Sequence, residues 1–145
     1  MAQAVPPDIT PEQFAQMVKG ATDQQILDTV HQAGTKEVLD RTFQGMQEAF
    51  DTAKAQGVDA EIQWVVTDQG EEHPYVANIS GGTCRIEGGR SENPRVGLTT
   101  DLVSFLRLIV GQAQGPQLFF SGKLKVAGDL MFSQQVGGFF RPPET

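Results

Sequence analysis

Ala60-Glu61-Ile62-Gln63-Trp64-Val65-Val66-Thr67 is the stretch on which the fold turns. Ala60, Ile62, Trp64 and Val66 alternate with Glu61, Gln63 and Thr67, and only Val65 breaks the polar row. A period of two marks a strand with one face buried. The alternation returns in Tyr75, Ala77 and Ile79, in Cys84 and Ile86, and in Val96 and Leu98. Gly81-Gly82 signals a tight hairpin, because primed turns need positive φ. Gly88-Gly89 and Arg90-Ser91-Glu92-Asn93 supply the next turn. Residues 58–100 therefore read as a four-stranded meander, apolar on one face and polar on the other.

Upstream the period is helical. Thr10, Pro11 and Gln13 make a capping box, followed by Phe14, Met17 and Val18 and stopped by Gly20. Thr22-Asp23-Gln24-Gln25 repeats the box before Ile26, Leu27 and Val30, and Gly34 closes that helix. A third helix is expected over about Lys36 to Gln56, roughly 30 Å long. Leu39, Phe43, Met46, Phe50 and Ala53 form its narrow apolar stripe. About two heptads are too short for a coiled coil, so the stripe is read as packing on a sheet.

Downstream, Thr100 is read as an N-cap and Asp101 as a favourable charge at the helix start. Leu102, Phe105, Leu106, Ile109 and Val110 then share one broad helical face, which Gly111 and Gly115-Pro116 interrupt. A short apolar segment, Leu118-Phe119-Phe120, precedes a fifth strand at Lys123–Ala127. Gly128-Asp129 turns into a last amphipathic segment containing Leu130, Met131, Phe132, Val136, Phe139 and Phe140. The order ααα-ββββ-αα-β-α predicts an α+β fold. Its five-stranded, mostly antiparallel sheet is covered on the apolar face by helices, and the fifth strand arrives by a crossover.

The 145 residues suit one domain, expected over 11–140, between a flexible N-terminus at 1–10 and a tail at 141–145. No secretory signal is recognised at the start, and no apolar run reaches the roughly 20 residues that span a bilayer. No stable membrane insertion is expected. The single cysteine, Cys84, fits a reducing compartment, so a cytoplasmic location is expected. The net charge of −7 is uneven: residues 1–72 carry 13 acids against 4 bases, and the remainder 5 against 7. Without a dense basic cluster, nucleic acid is a poor partner.

Chemistry-bearing patterns are missing from the sequence. His31 and His73 stand in no metal-ligand spacing, and there is no nucleophile elbow, phosphate loop or dinucleotide fingerprint. Ser80-Gly81-Gly82 is better explained as a hairpin than as a nucleophile beside an oxyanion hole. Cys84 reads as a buried, inert strand residue. Glu37, Asp40 and Arg41 read as helix-surface charges. No catalytic residue, metal or cofactor is expected.

Phe119-Phe120-Ser121-Gly122-Lys123-Leu124-Lys125-Val126-Ala127-Gly128-Asp129 resembles the signature of sterol carrier protein type 2 domains. Pro94-Arg95-Val96-Gly97-Leu98-Thr99-Thr100-Asp101-Leu102, with Phe105-Leu106 and Leu108 to Gly111, is similar to the strand-then-helix segment that precedes it. The resemblance covers about residues 36–140, and its specific part is 119–129. The helices over 11–34 look like an extension of the kind seen on bacterial single-domain members. What the resemblance implies is a helix-covered sheet around an apolar tunnel. Such domains bind sterols, fatty acids, acyl-CoA or phospholipids without transforming them.

Six of the nine phenylalanines lie between Phe105 and Phe140. At core spacing such residues ordinarily fill a core; the resemblance favours a tunnel wall instead. The wall is expected to comprise Trp64, Val66, Phe105, Leu106, Ile109, Phe119, Phe120, Leu124, Met131, Val136, Phe139 and Phe140. Arg107, Lys123 and Lys125 are weaker candidates for meeting a charged head group. Gly137-Gly138 either ends the last helix near Val136 or makes it a weakly held lid latched by Phe139-Phe140, and the lid is favoured. Two other readings stay open. One is an interaction or dimerisation module forming a homodimer; the other is a small enzyme using Cys84, His73 or Asp129 on a hydrophobic substrate.

Overall fold

The computed structural model describes residues 10–141; of the expected loose ends at 1–10 and 141–145, residues 1–9 and 142–145 lie outside the described residues. Two short helices, α1 (Pro11–Lys19) and α2 (Asp23–Ala33), open the chain, and both carry the capping boxes read from Thr10 and Thr22. Helix α3 (Thr35–Glu48) follows. Then come β1 (Ala60–Asp68), β2 (Glu71–Ser80), β3 (Thr83–Gly88) and β4 (Val96–Asp101). The order closes with α4 (Leu102–Ile109), α5 (Gly115–Phe120), β5 (Leu124–Gly128), α6 (Leu130–Val136) and a 3-10 turn, Gly137–Phe139. The α+β class and the five helix-covered strands are as expected. The residues that alternate inward, Ile62, Trp64, Val66, Tyr75, Ala77, Ile79, Val96 and Leu98, are all buried.

Strand order corrects the meander. The sheet runs β3-β2-β1-β4-β5, with β4 parallel to β1 and every other pair antiparallel. After β3 the chain therefore crosses β2 and β1 and pairs on the far side of β1. Gln63 and Glu61, read from the sequence as plain solvent-facing residues, hold that crossing in place. The Gln63 amide donates to the Gly89 carbonyl at 3.1 Å, and its oxygen accepts from the Ser91 N–H at 2.7 Å. The Ser91 hydroxyl donates to Glu61 at 3.0 Å, and the Arg95 N–H donates to the Glu61 carbonyl at 2.9 Å. Alternation cannot show this, because a covered polar residue and a wet one look alike in sequence.

Helix α3 also ends earlier than its apolar stripe suggests. It stops at Glu48, and Phe50 forms an isolated antiparallel bridge with Phe140. The Asp51 N–H donates to the Phe139 carbonyl at 2.7 Å, and the Arg141 N–H donates to the Ala49 carbonyl at 3.0 Å. The Asp51 carboxylate accepts from the N–H groups of Ala53 and Lys54, which turns the chain away from the helix axis. Pairing with the C-terminal segment therefore outcompetes helix propagation there. A third correction concerns α4. Its N-cap is Asp101, whose carboxylate accepts from the Ser104 N–H at 3.0 Å. Thr100 stays in β4 and donates to the Lys123 carbonyl at 2.8 Å.

An aromatic cluster joins the helical layer to the sheet. Phe43 of α3 stacks on Tyr75 at 4.1 Å and on Phe105 at 4.9 Å, and Trp64 meets Phe43 and Phe105 edge-on. The Tyr75 hydroxyl donates to Asp40. Burial and that carboxylate both push the phenol's pKa up, so it stays protonated.

The β5–α6 turn tolerates only glycine at Gly128. Its φ is +92°, and a Cβ there would lie 2.6 Å from the Arg95 carbonyl oxygen. The next residue, Asp129, caps α6 by accepting from the Phe132 N–H at 2.9 Å, and it pairs with Arg95 at 3.1 Å. Those two contacts hold its carboxyl below the ordinary carboxylate range. Gly128→Ala is expected to cost about 3 kcal/mol, from the left-handed φ and the clash together. Gly137→Ala, where φ is −59° and no atom lies within 4 Å, should be neutral or slightly stabilising. Urea unfolding midpoints check both, and equal midpoints would contradict the close approach.

Candidate functional site

A concave space of about 1430 Å³ lies between the helices and one half of the sheet. Strand register builds its floor. Trp64 stands beside Leu98, and Leu98 beside Val126, so three strands contribute one row of apolar side chains. Leu124 extends the floor one pair further along β5. Helix α3 contributes Val38, Thr42 and Met46 to the lining. Ile109 and the chain after α4 border it on a second side, with Phe119 and Phe120 of α5. Val136, Gly137, Gly138 and Phe140 border it from the C-terminal segment. Four charged side chains share the lining: Glu12, Arg41, Glu48 and Arg141.

The expected wall residues fall into three groups. Trp64, Ile109, Phe119, Phe120, Leu124, Val136 and Phe140 line this space. Val66, Phe105, Leu106 and Phe139 do not; they are 0–2% exposed and belong to the filled core. Met131 is outside the lining and 75% exposed. With Phe119, Phe120 and Leu130 it makes up the exposed large hydrophobic side chains of the described residues, and Phe120 is 84% exposed.

The three head-group candidates also stand apart from the lining. Arg107 faces α1 and α2, where its guanidinium donates to Asp23 at 2.7 Å and to the carbonyls of Ala21 and Val18. Lys123 and Lys125 are exposed, before and on the edge strand β5. Val38, Thr42, Met46, Leu98 and Val126 line the space without having been singled out. Leu98 and Val126 could have been found by placing β4 beside β1, and Met46 already belonged to the α3 stripe.

The C-terminal segment follows the first of the two alternatives, a helix that ends near Val136, and not the one the sequence favoured. Helix α6 stops at Val136, and the glycine pair enters the 3-10 turn. Phe139 packs on Phe132 at 5.7 Å, and Phe140 on Phe50 at 5.9 Å. The Phe140–Phe50 contact and the two backbone hydrogen bonds to Ala49 and Asp51 fasten the segment across the end of α3, while Phe139 packs back onto α6.

Of the groups named for possible chemistry, Cys84 is half-buried, and burial pushes its thiol up to about 11. At neutral pH it is therefore a thiol, a poor nucleophile. His73 lies near Glu71 at 4.0 Å, and Asp129 is committed to its cap and to Arg95. None of the three lines the cavity. Among the described residues, no helix is long and apolar enough to cross a membrane.

Comparison with known proteins agrees with this architecture. Among solved structures, Sterol Carrier Protein 2 Like 2 from Aedes aegypti matches with a TM-score of 0.61 at 14% identity. That match covers 72% of this chain and 98% of the other. A solution structure of palmitated SCP2L2 from the same organism matches with a TM-score of 0.56 at 15% identity, covering 67% and 88%. The stereoselective inverting sec-alkylsulfatase Pisa1 from Pseudomonas sp. matches with a TM-score of 0.60 at 18% identity, over 68% of this chain. This chain spans only 16% of the sulfatase's length. At these identities the likeness is one of fold. No curated protein matches the sequence. The model of the SCP-2 sterol transfer family matches residues 39–141, from inside α3 to the end of the described chain, and membership implies binding of hydrophobic lipids. The chain belongs to the SCP-2 sterol transfer family.

Proposed function

We propose that this chain binds a long-chain lipid in the cavity above Trp64, Leu98 and Val126, and carries or sequesters it without transforming it. The cavity itself is the observation that carries the reading. Small-molecule pockets commonly run roughly 300–1,000 Å³. The space here is about 1430 Å³ and is walled mainly by apolar side chains from the helices and the sheet. Each methylene taken from water contributes about 0.8 kcal/mol, offset by the cost of ordering the chain. A fatty acid, acyl-CoA, sterol-like molecule or phospholipid would supply such a surface. The palmitated mosquito neighbour supports an acyl chain in particular.

The ligand's path is the exposed apolar rim at Phe119, Phe120, Leu130 and Met131, with Lys123 and Lys125 placed to meet an anionic head group during transfer. The segment Val136–Phe140 is the lid. The Phe140–Phe50 contact and two backbone hydrogen bonds hold it to the end of α3, and Gly137 and Gly138 lie within it. A cytoplasmic location fits the lone cysteine. The same exposed rim, beside an edge strand, supports a second reading: a surface that docks a partner or a second copy of the chain.

Native mass spectrometry of the purified protein, followed by organic extraction, separates the two. A stoichiometric extractable lipid is expected. A clean apo mass that persists after incubation with fatty acids, acyl-CoA and sterols, and that doubles with concentration, would favour the docking surface. Replacing both Gly137 and Gly138 with alanine adds roughly 1 kcal/mol of helix propensity per site. Neither new methyl meets an atom within 4 Å. Ligand exchange, followed by stopped-flow fluorescence, should slow several-fold; an unchanged rate would contradict the lid.

A further inference from the structure

Among the described residues, the exposed large hydrophobic side chains gather at one place in the fold. Phe119 and Phe120 close α5, Leu130 and Met131 open α6, and the edge strand β5 runs between the two helices. Both helices pack on β5. The two phenylalanine rings meet each other edge-on at 5.6 Å. Phe119, Phe120 and Leu130 also border the cavity, so the patch is continuous with its opening. Clustered apolar exposure of this kind marks an interaction surface.

The surrounding charge says what that surface fits. The chain carries −7 overall, yet residues 102–141 hold one acid, Asp129, against Arg107, Lys123, Lys125 and Arg141. Asp129 is paired with Arg95, and Arg107 with Asp23. Lys123 and Lys125 are exposed and form no ion pair with a described residue. The acids of the cavity lining, Glu12 and Glu48, stand on α1 and α3, not on the elements that carry the patch. Leu124 and Val126 line the cavity, so Lys125 between them faces the other side of the sheet. A flat surface meeting β5 edge-on therefore touches the apolar rim from one side and the lysines, on their long stems, from the other. A second copy fits less well. Pairing through β5 would set the lysines of two copies against each other, the usual means of keeping an edge strand unpaired.

We propose that the α5–β5–α6 edge docks on an anionic lipid bilayer, with Phe119, Phe120, Leu130 and Met131 entering the acyl boundary and Lys123 and Lys125 at the head groups. The inference rests on the lipid-carrier reading and names the surface with which the cavity exchanges its ligand. Docking in this way sets the cavity's opening against the bilayer, so an acyl chain passes between them without crossing water.

Flotation of the full chain with vesicles tests the proposal. The vesicles are phosphatidylcholine alone, or phosphatidylcholine mixed with phosphatidylglycerol. The protein should float with the mixed vesicles, much less with the neutral ones, and high salt should weaken the association. Each lysine near an anionic surface tightens binding roughly fivefold, so Lys123→Gln with Lys125→Gln should weaken it roughly thirtyfold. Phe120→Ser with Met131→Ser should weaken it at least roughly tenfold. All four side chains are exposed, and urea midpoints check that the variants fold. Absence of flotation with both vesicles would overturn the docking surface, as would flotation that either double variant leaves undiminished. Equal flotation with neutral vesicles would overturn the anionic partner. A dimer that needs Phe120 and Met131, in a chain that does not float, would assign the patch to a second copy instead. Lipid carried into the protein-containing aqueous fraction without flotation would overturn the docking and leave the carrier reading intact. A chain that floats as expected but never yields an extractable lipid would fail the carrier reading and keep the docking surface.

Discussion

Phe43 stacked between Tyr75 and Phe105 is the contact from which the rest of the structure follows. It brings α3, α4, β1 and β2 together at one point and divides the space between helices and sheet in two. On one side Ile62, Val66, Leu39, Leu102 and Leu106 pack to completion, each 0–1% exposed. On the other side Trp64, Leu98 and Val126 line the cavity. Trp64 belongs to both halves, clamped by the stack and lining the hollow. Filling the hollow with larger side chains would strain the packed half, since cores transmit small volume changes.

The hollow stays open because the chain beyond α4 is kept at its border. Gly111 and the following short connection end α4 after little more than two turns, so α5 borders the space instead of crossing it. The Gly128–Asp129 turn, fixed by the Arg95 carbonyl and carboxylate contacts, fastens the start of α6 to β4. The far end of that segment is fastened to α3 through Phe50 and Phe140. The segment is thus attached at both ends, with Gly137 and Gly138 between them.

Much of this was legible from local signals. The capping boxes at Thr10 and Thr22, the Gly81-Gly82 hairpin and the period-two runs each rest on interactions within a few residues, and each formed as read. The errors came from long-range competition. Ending α3 at Glu48 depends on pairing with Phe140, about ninety residues away. Placing β4 beside β1 depends on Gln63 capturing a loop from Gly89 to Ser91. That second error hid half the floor, because Leu98 becomes Trp64's neighbour only in the correct strand order. Pattern alone could not separate lining from core. Phe105 and Phe119 look equivalent in sequence, yet one is 0% exposed in the aromatic cluster and the other 38% exposed at the cavity.

The proposed function requires an acyl chain lying against Trp64 in the cavity. Contact quenching tests it directly, because a bromine atom extinguishes indole fluorescence only at near-touching distance and the chain has a single tryptophan. Fatty acids brominated at successive positions along the chain should bind with one-to-one stoichiometry and quench Trp64 in a position-dependent way. Saturable binding with no quenching by any of them would put the ligand elsewhere, and the cavity would lose its assigned role.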